Sequence, residues 1–258
     1  MAERRIRKRQ REAPAGLWDR PALLSAIADV LLVLGSAALA YALVLGILRL
    51  PLFPLRELVV VTPIRQVTAA QLAYAARSSL AGNFFTVDLD KVRATFEKLP
   101  WVRHAEVRRR WPGTLELEVE EHNAAAYWRV VDAGETRLVS ELGEVFVAAS
   151  NATLPVFSGP EGSALLLLER YREFNRAVAP LGRSLDGLAL SPRLAWQIRL
   201  DDGMVIELGH DEPKAPVAER LARFVGVYSE AVQRLGQRVA VADLRYPNGF
   251  ALRPAQGS

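Results

Sequence analysis

The chain has no cysteine. That excludes a disulfide framework and a thiolate metal site, and it suits an oxidising compartment. Histidine is nearly as scarce, with His104, His122 and His210 the only three. No two of them stand at i, i+4 spacing, so a zinc centre would need carboxylates for most of its ligands. Neither the G-x-S-x-G nucleophile elbow nor the G-x-x-x-x-G-K phosphate loop occurs. Glu116, Glu118 and Glu120 fall at period two, with Glu121 beside them. That is the solvated face of a strand, not a pair of carboxylates held in contrasting surroundings for acid–base work. No catalytic residue, metal ligand or cofactor is therefore expected, and the sequence reads as non-enzymatic. Internal repeats and low-complexity segments are absent as well.

What the sequence does have is one long apolar run. Val30–Leu48 carries no charge; as a helix it spans roughly 28 Å, close to a hydrocarbon core of about 30 Å. Residues 22–49 are expected to form a transmembrane helix, with Asp29 near one interface. Ala38-Leu39-Ala40 resembles a signal cleavage site, but the run continues past it to Leu48 and reads as an anchor. Ahead of it lies a basic tail, residues 1–21, with Arg4, Arg5, Arg7, Lys8, Arg9, Arg11 and Arg20. Arginine clusters also bind nucleic-acid phosphate; beside an apolar span and without base-stacking aromatics, a tail lying on anionic lipid is the expectation, with no nucleic acid. The positive-inside rule puts the N-terminus in the cytoplasm and the rest outside, a type II single-pass topology. Trp18 and Tyr41 do not make a matched aromatic belt for this span.

Pro51 and Pro54 end the span. The next segment reads β-α-α-β-β: ELVVVT from Glu57, a helix opened by the capping-box pattern Thr68-Ala-Ala-Gln71, a helix over Leu89–Leu99, and strands Arg103–Trp111 and Thr114–Glu120 about a Pro112-Gly113 turn. From Ala124 onward short strands dominate, interrupted by helices over Leu165–Pro180 and Lys214–Gly236, with an Asp202-Gly203 hairpin turn. A strand is expected over Arg238–Tyr246, and Phe250–Leu252 continues after Pro247-Asn248-Gly249. The fold class is α+β: one N-terminal transmembrane helix, a β-α-α-β-β domain over 54–122, a mostly antiparallel β domain with two helices over 123–253, and a disordered tail over 254–258.

Several segments carry a resemblance. FPLRELVVV, LPWVRHAEVRRRWPGTLELEVEEHNAAAYW, RLARFVGVY and VADLRYPNGFALR resemble the bacterial FtsQ/DivIB family of cell division proteins, whose outer part begins with a POTRA domain. The resemblance covers nearly the whole chain and implies a non-catalytic scaffold of the inner membrane at the division septum, with its outer domains in the periplasm. It links early and late divisome proteins by binding FtsB and FtsL directly, and connects also to FtsK, FtsW, FtsI and FtsN. In the family an FtsB segment adds to an edge made by the last strands.

Carried to this chain, the resemblance implies partner contacts at Asp243, Leu244, Arg245, Tyr246, Asn248, Gly249, Phe250 and Leu252, and more weakly at Arg193 and Trp196. An edge strand leaves unpaired N–H and C=O groups that a partner strand satisfies. In an extended chain Leu244 and Tyr246 would share one face. The basic run Arg108-Arg109-Arg110 would send Arg108 and Arg110 to one face of a strand, a possible docking patch for an acidic partner. POTRA domains also occur on outer-membrane transport barrels; the chain after residue 122 has too few strands for one, leaving a transport or envelope-assembly accessory protein as the alternative.

Overall fold

The computed structural model describes residues 21–50, 53–129, 136–246 and 249–255. Residues 1–20, the expected turn at Asp132–Gly134, Asn248 and residues 256–258 lie outside them. Among the described residues, those up to 59 with 80–89 and 108–116 cluster as one unit, and 60–79, 90–107 and those from 117 onward as a second.

Helix α1 runs Pro21–Arg49, with proline at the position where its missing N–H costs nothing. Its Pro21–Leu48 stretch is long and apolar enough to cross a membrane, and no part of its most apolar window is buried in the protein. Ser36 turns its hydroxyl back to the carbonyl of Leu32, 2.6 Å away, so no polar group faces outward unsatisfied there.

The expected β-α-α-β-β order follows as β1 (Glu57–Val60), α2 (Ala69–Ser79), α3 (Leu89–Phe96), β2 (Val102–Arg110) and β3 (Thr114–Glu121). The three strands form a sheet in the order β1-β3-β2. The capping box is realised: the Thr68 N–H donates to Gln71 Oε1 at 2.9 Å, and the Gln71 N–H to Thr68 Oγ1 at 3.3 Å. On β3, Leu115, Leu117 and Val119 are buried, as period two requires. Helix α3 stops at Phe96, three residues short of the expected end. Pro100 disfavours helical geometry at Leu99, and Leu99 makes a tighter bond to the Phe96 carbonyl instead.

Among the described residues the rest is one nine-stranded sheet with two α-helices and a short 3-10 turn at Ala179–Leu181. Its strands are β4 (Ala124–Trp128), β5 (Arg137–Ser140), β6 (Val145–Val147), β7 (Val156–Ser158), β8 (Leu185–Leu190), β9 (Ala195–Leu200), β10 (Val205–His210), β11 (Val239–Asp243) and β12 (Ala251–Pro254), with α4 (Ala164–Val178) and α5 (Val217–Leu235) between them. The order across the sheet is β12-β11-β10-β9-β8-β7-β4-β5-β6. β7 and β8 pair in parallel, as do β10 and β11, because α4 and α5 are crossovers that bring the chain back in the same direction. β4 and β7 are also parallel; the remaining neighbours are antiparallel. A core of Phe157, Leu167, Phe174, Trp196, Ile198, Ile206, Leu221 and Phe224 joins both helices to the strands.

Asp202-Gly203 makes the expected turn between β9 and β10, with Gly203 at φ 89°. Gly236 ends α5 in the left-handed region, its N–H on the Val232 carbonyl. β12 includes Pro254, and the Ala255 N–H donates to the Arg238 carbonyl at 2.8 Å.

Candidate partner-binding edge

β12 stands at the end of the nine-stranded sheet. Among the described residues its one strand neighbour is β11, which it meets antiparallel with Asp243 opposite Ala251, Ala242 opposite Leu252 and Val241 opposite Arg253. β11 is itself an interior strand, held on its other side by β10. At this end of the sheet the backbone available for pairing therefore belongs to β12, while β6 ends the sheet on the other side.

The strand expected through Tyr246 stops at Asp243. The Asp243 side chain accepts the Arg245 backbone N–H at 3.1 Å, a local bond that competes with continuing the ladder. Past that point Leu244 and Tyr246 do not share a face. Leu244 is buried, its N–H on the Glu207 carbonyl at 2.8 Å, whereas Tyr246 is 56% exposed. Arg245 folds back onto Asp243, Nε at 2.8 Å from one oxygen and Nη2 at 2.5 Å from the other. Those bonds hold the Asp243 carboxyl below the usual carboxylate range and push the Arg245 guanidinium up. The Arg245 stem lies over Gly209, where an added Cβ would stand 2.9 Å from Arg245 Cγ; Gly209 has φ 73° at a bulge in β10.

Phe250 packs edge-on against Phe224 of α5, ring centroids 5.2 Å apart, and Leu252 lies against the same core. Gly249, Ala251 and Arg253 are exposed. Tyr246, Arg245, Ala251 and Arg253 are thus the outward groups beside the edge, and Leu244, Phe250 and Leu252 root it. Ala251 and Arg253 escaped the sequence reading; once Leu252 is placed inward, alternation alone points to them.

Trp196, on β9, is 4% exposed and packs edge-on against Phe174 at 5.9 Å. It supports the sheet from within. Arg193 is exposed in the β8–β9 turn. Its neighbour Leu194 is 60% exposed at φ 61°, a conformation leucine seldom adopts and that no sequence pattern announces. On β2, Arg108, Arg109 and Arg110 are exposed. Arg110 pairs with Glu116 at 2.7 Å. Arg109 donates to the carbonyls of Phe84 at 2.8 Å and Val87 at 2.7 Å.

Two domain families match the chain: the FtsQ-type POTRA domain over residues 53–122, and the C-terminal domain of cell division protein FtsQ/DivIB over residues 126–245. The chain is 38% identical to cell division protein FtsQ of Nitrosospira multiformis over 242 residues, covering 92% of this chain and 99% of that one. It is 40% identical over 242 residues to that of Burkholderia pseudomallei, covering 93% and 95%. To that of Bordetella pertussis it is 39% identical over 257 residues, covering 92% of each. Matches of that extent, spanning the apolar helix and both matched domains, make the chain a member of the FtsQ family of cell division proteins.

Proposed function

We propose that the chain is a non-catalytic scaffold of the divisome that crosses the inner membrane once, N-terminus in the cytoplasm, and binds FtsB and FtsL with its periplasmic β domain. A partner segment adds as a further strand to β12, and Tyr246 anchors it beside the edge. FtsK, FtsW, FtsI and FtsN would join the same assembly at the septum, and an acidic partner docking at Arg108 and Arg110 of the POTRA domain would compete with Glu116 for Arg110. The observation that supports this reading is the position of β12: it ends the sheet, and Leu252 and Phe250 fix it to the core while Ala251 and Arg253 face outward. A rigid edge pairs with an incoming strand at lower entropic cost than a loose one.

The test is binding of the full chain, in lipid nanodiscs, to the extracytoplasmic segment of FtsB, compared with Tyr246→Ala. Ending the chain at Ala242 is a poorer comparison, since it also strips Leu244, Phe250 and Leu252 from the core. Tyr246→Ala is expected to weaken binding about tenfold or more, as loss of an interface anchor does, with little change in melting temperature. Unchanged binding would remove Tyr246 from the interface, and no binding by the unaltered chain would overturn the mechanism. A reporter fused after Ser258 is expected to be active only outside the cytoplasm.

A further inference from the structure

The C-terminal end of α1 is tied to a loop far along the chain. A helix leaves its last carbonyls without intrahelical partners. Here the buried Asn83 side chain supplies them: its Nδ2 donates to the Leu48 carbonyl at 2.6 Å and to the Leu50 carbonyl at 3.0 Å. Leu48 is also where the uncharged run ends. The residues after Asn83 therefore stand at the level where the span leaves the hydrocarbon.

Those residues are aromatic. Phe53, Phe84, Phe85 and Trp111 form one cluster, with centroids 5.0 Å apart for Phe53 and Phe85, 5.2 Å for Phe84 and Phe85, and 5.9 Å for Phe84 and Trp111. The backbone fastens it, the Phe84 N–H on the Phe53 carbonyl at 2.9 Å. Arg109 fastens it again through the Phe84 and Val87 carbonyls. Phe84 is the buried base, but Phe85 is 40% exposed and Trp111 is 64% exposed. Rigidly held rings facing outward are unusual on a water-facing surface. Arg56, exposed beside Gly113, adds positive charge at the same end.

We propose that this cluster, with Phe85 and Trp111 as its outer rings, lies in the headgroup region of the leaflet at the C-terminal end of α1, so that the membrane is its ligand. The chain's own helix brings it there. Trp and Phe favour that depth, where an apolar ring meets lipid and the indole N–H stays hydrated, and arginine beside them meets anionic phosphate. The cluster supplies the interfacial aromatics that the span itself lacks. Its role is orientation: a second contact with the bilayer limits swivelling about the residues after α1. The inference rests on α1 being the membrane anchor, and on neither its direction nor its partners.

The test uses the full chain with W18F, reconstituted in phosphatidylethanolamine–phosphatidylglycerol vesicles with and without phospholipid brominated near the headgroup. Trp101, Trp128 and Trp196 are buried, leaving Trp111 as the exposed indole. Brominated lipid is expected to quench part of the W18F emission, and that part is expected to be lost in W18F/W111F. Flotation of both variants with the vesicles checks the anchor. Flotation with no quenching assignable to Trp111 overturns the proposal and leaves the anchor standing. Failure to float overturns both. Because the exposed Trp111 is replaced by another ring, the comparison does not depend on a destabilised fold.

Discussion

Arg245 closes on Asp243 across a single intervening residue, two guanidinium nitrogens on two carboxylate oxygens at 2.8 and 2.5 Å. The same carboxylate accepts the Arg245 backbone N–H and so ends β11. One acid therefore stops a strand and aims a cation beside the proposed binding edge. Asp243→Asn keeps an oxygen for the backbone bond and removes the charge pairing. Partner binding is expected to weaken several-fold as Arg245 is released. The Asp243 carboxyl is held below its ordinary range, so its contribution to stability is present above the unfolded carboxylate pKa and is lost as pH falls through the folded one. The melting-temperature gap between the unaltered chain and Asp243→Asn should be widest near neutrality and close below about pH 4. A gap that stays constant with pH would mean that the pair contributes nothing.

Trp196 offers the contrast. Its ring is buried against Phe174, so Trp196→Ala is expected to cost about 3–5 kcal/mol in chemical denaturation, the usual range for emptying a large aromatic site. Any loss of binding should follow the loss of fold. A stable Trp196→Ala chain that failed to bind would place the ring in the interface after all.

Glu121 is more than a solvated strand residue. Its carboxylate accepts the backbone N–H groups of Arg65 at 2.8 Å, Gln66 at 2.9 Å and Val67 at 2.7 Å, gathering the turn that precedes α2. Glu121→Ala leaves three donors to find water. A loss of about 1–2 kcal/mol is expected, at the low end for charged hydrogen bonds because the site is partly open. Glu118→Ala, on the exposed face of the same strand, should stay within about 0.5 kcal/mol of the unaltered chain.

His122 stacks on Phe146, centroids 4.2 Å apart at 11°. Its Nδ1 is buried without a hydrogen-bond partner, 3.7 Å from Glu144. Burial pushes its pKa down, against the opposing pull of Glu144. The unfolded chain then binds the proton more readily, so stability falls as pH drops below the unfolded value of about 6.5. His122→Gln is expected to flatten the melting-temperature profile between pH 7 and 5, while Arg103 keeps its bonds to Glu120 at 2.7 Å and Glu144 at 2.9 Å. An equally steep profile in the variant would trace the acid lability to another group.

The local elements were legible because their causes are local. An uncharged run of membrane length, a Thr68–Gln71 capping box, the alternation of Leu115, Leu117 and Val119, and the Asp202-Gly203 turn each bring their own geometry, and the structure places each where the pattern did. The end of β11 was not legible, although its cause lies only two residues along. Aspartate inside an apolar-alternating run reads as the wet face of a strand, and nothing in the spacing says that it will bond the N–H of Arg245. Leu194 at positive φ is opaque for the same reason, since leucine carries no turn signature.

Sheet order belongs to another level. Period two tells which side chains share a face of a strand, not which strand lies beside it. That β12 ends the sheet, that β11 is interior, and that α4 and α5 are parallel crossovers follow from pairings between segments far apart in the chain, chosen by the joint burial of one core. So too with Asn83: residues 83–87 read as an extended apolar segment, and only folding brings the Asn83 amide to the carbonyls of Leu48 and Leu50, more than thirty residues earlier. The sequence alone was enough for the apolar helix of membrane length, the β-α-α-β-β order and the family, since these rest on composition, periodicity and contiguous motifs. The edge a partner can reach and the rings that face the bilayer needed tertiary structure, because exposure is a property of what the rest of the chain leaves uncovered.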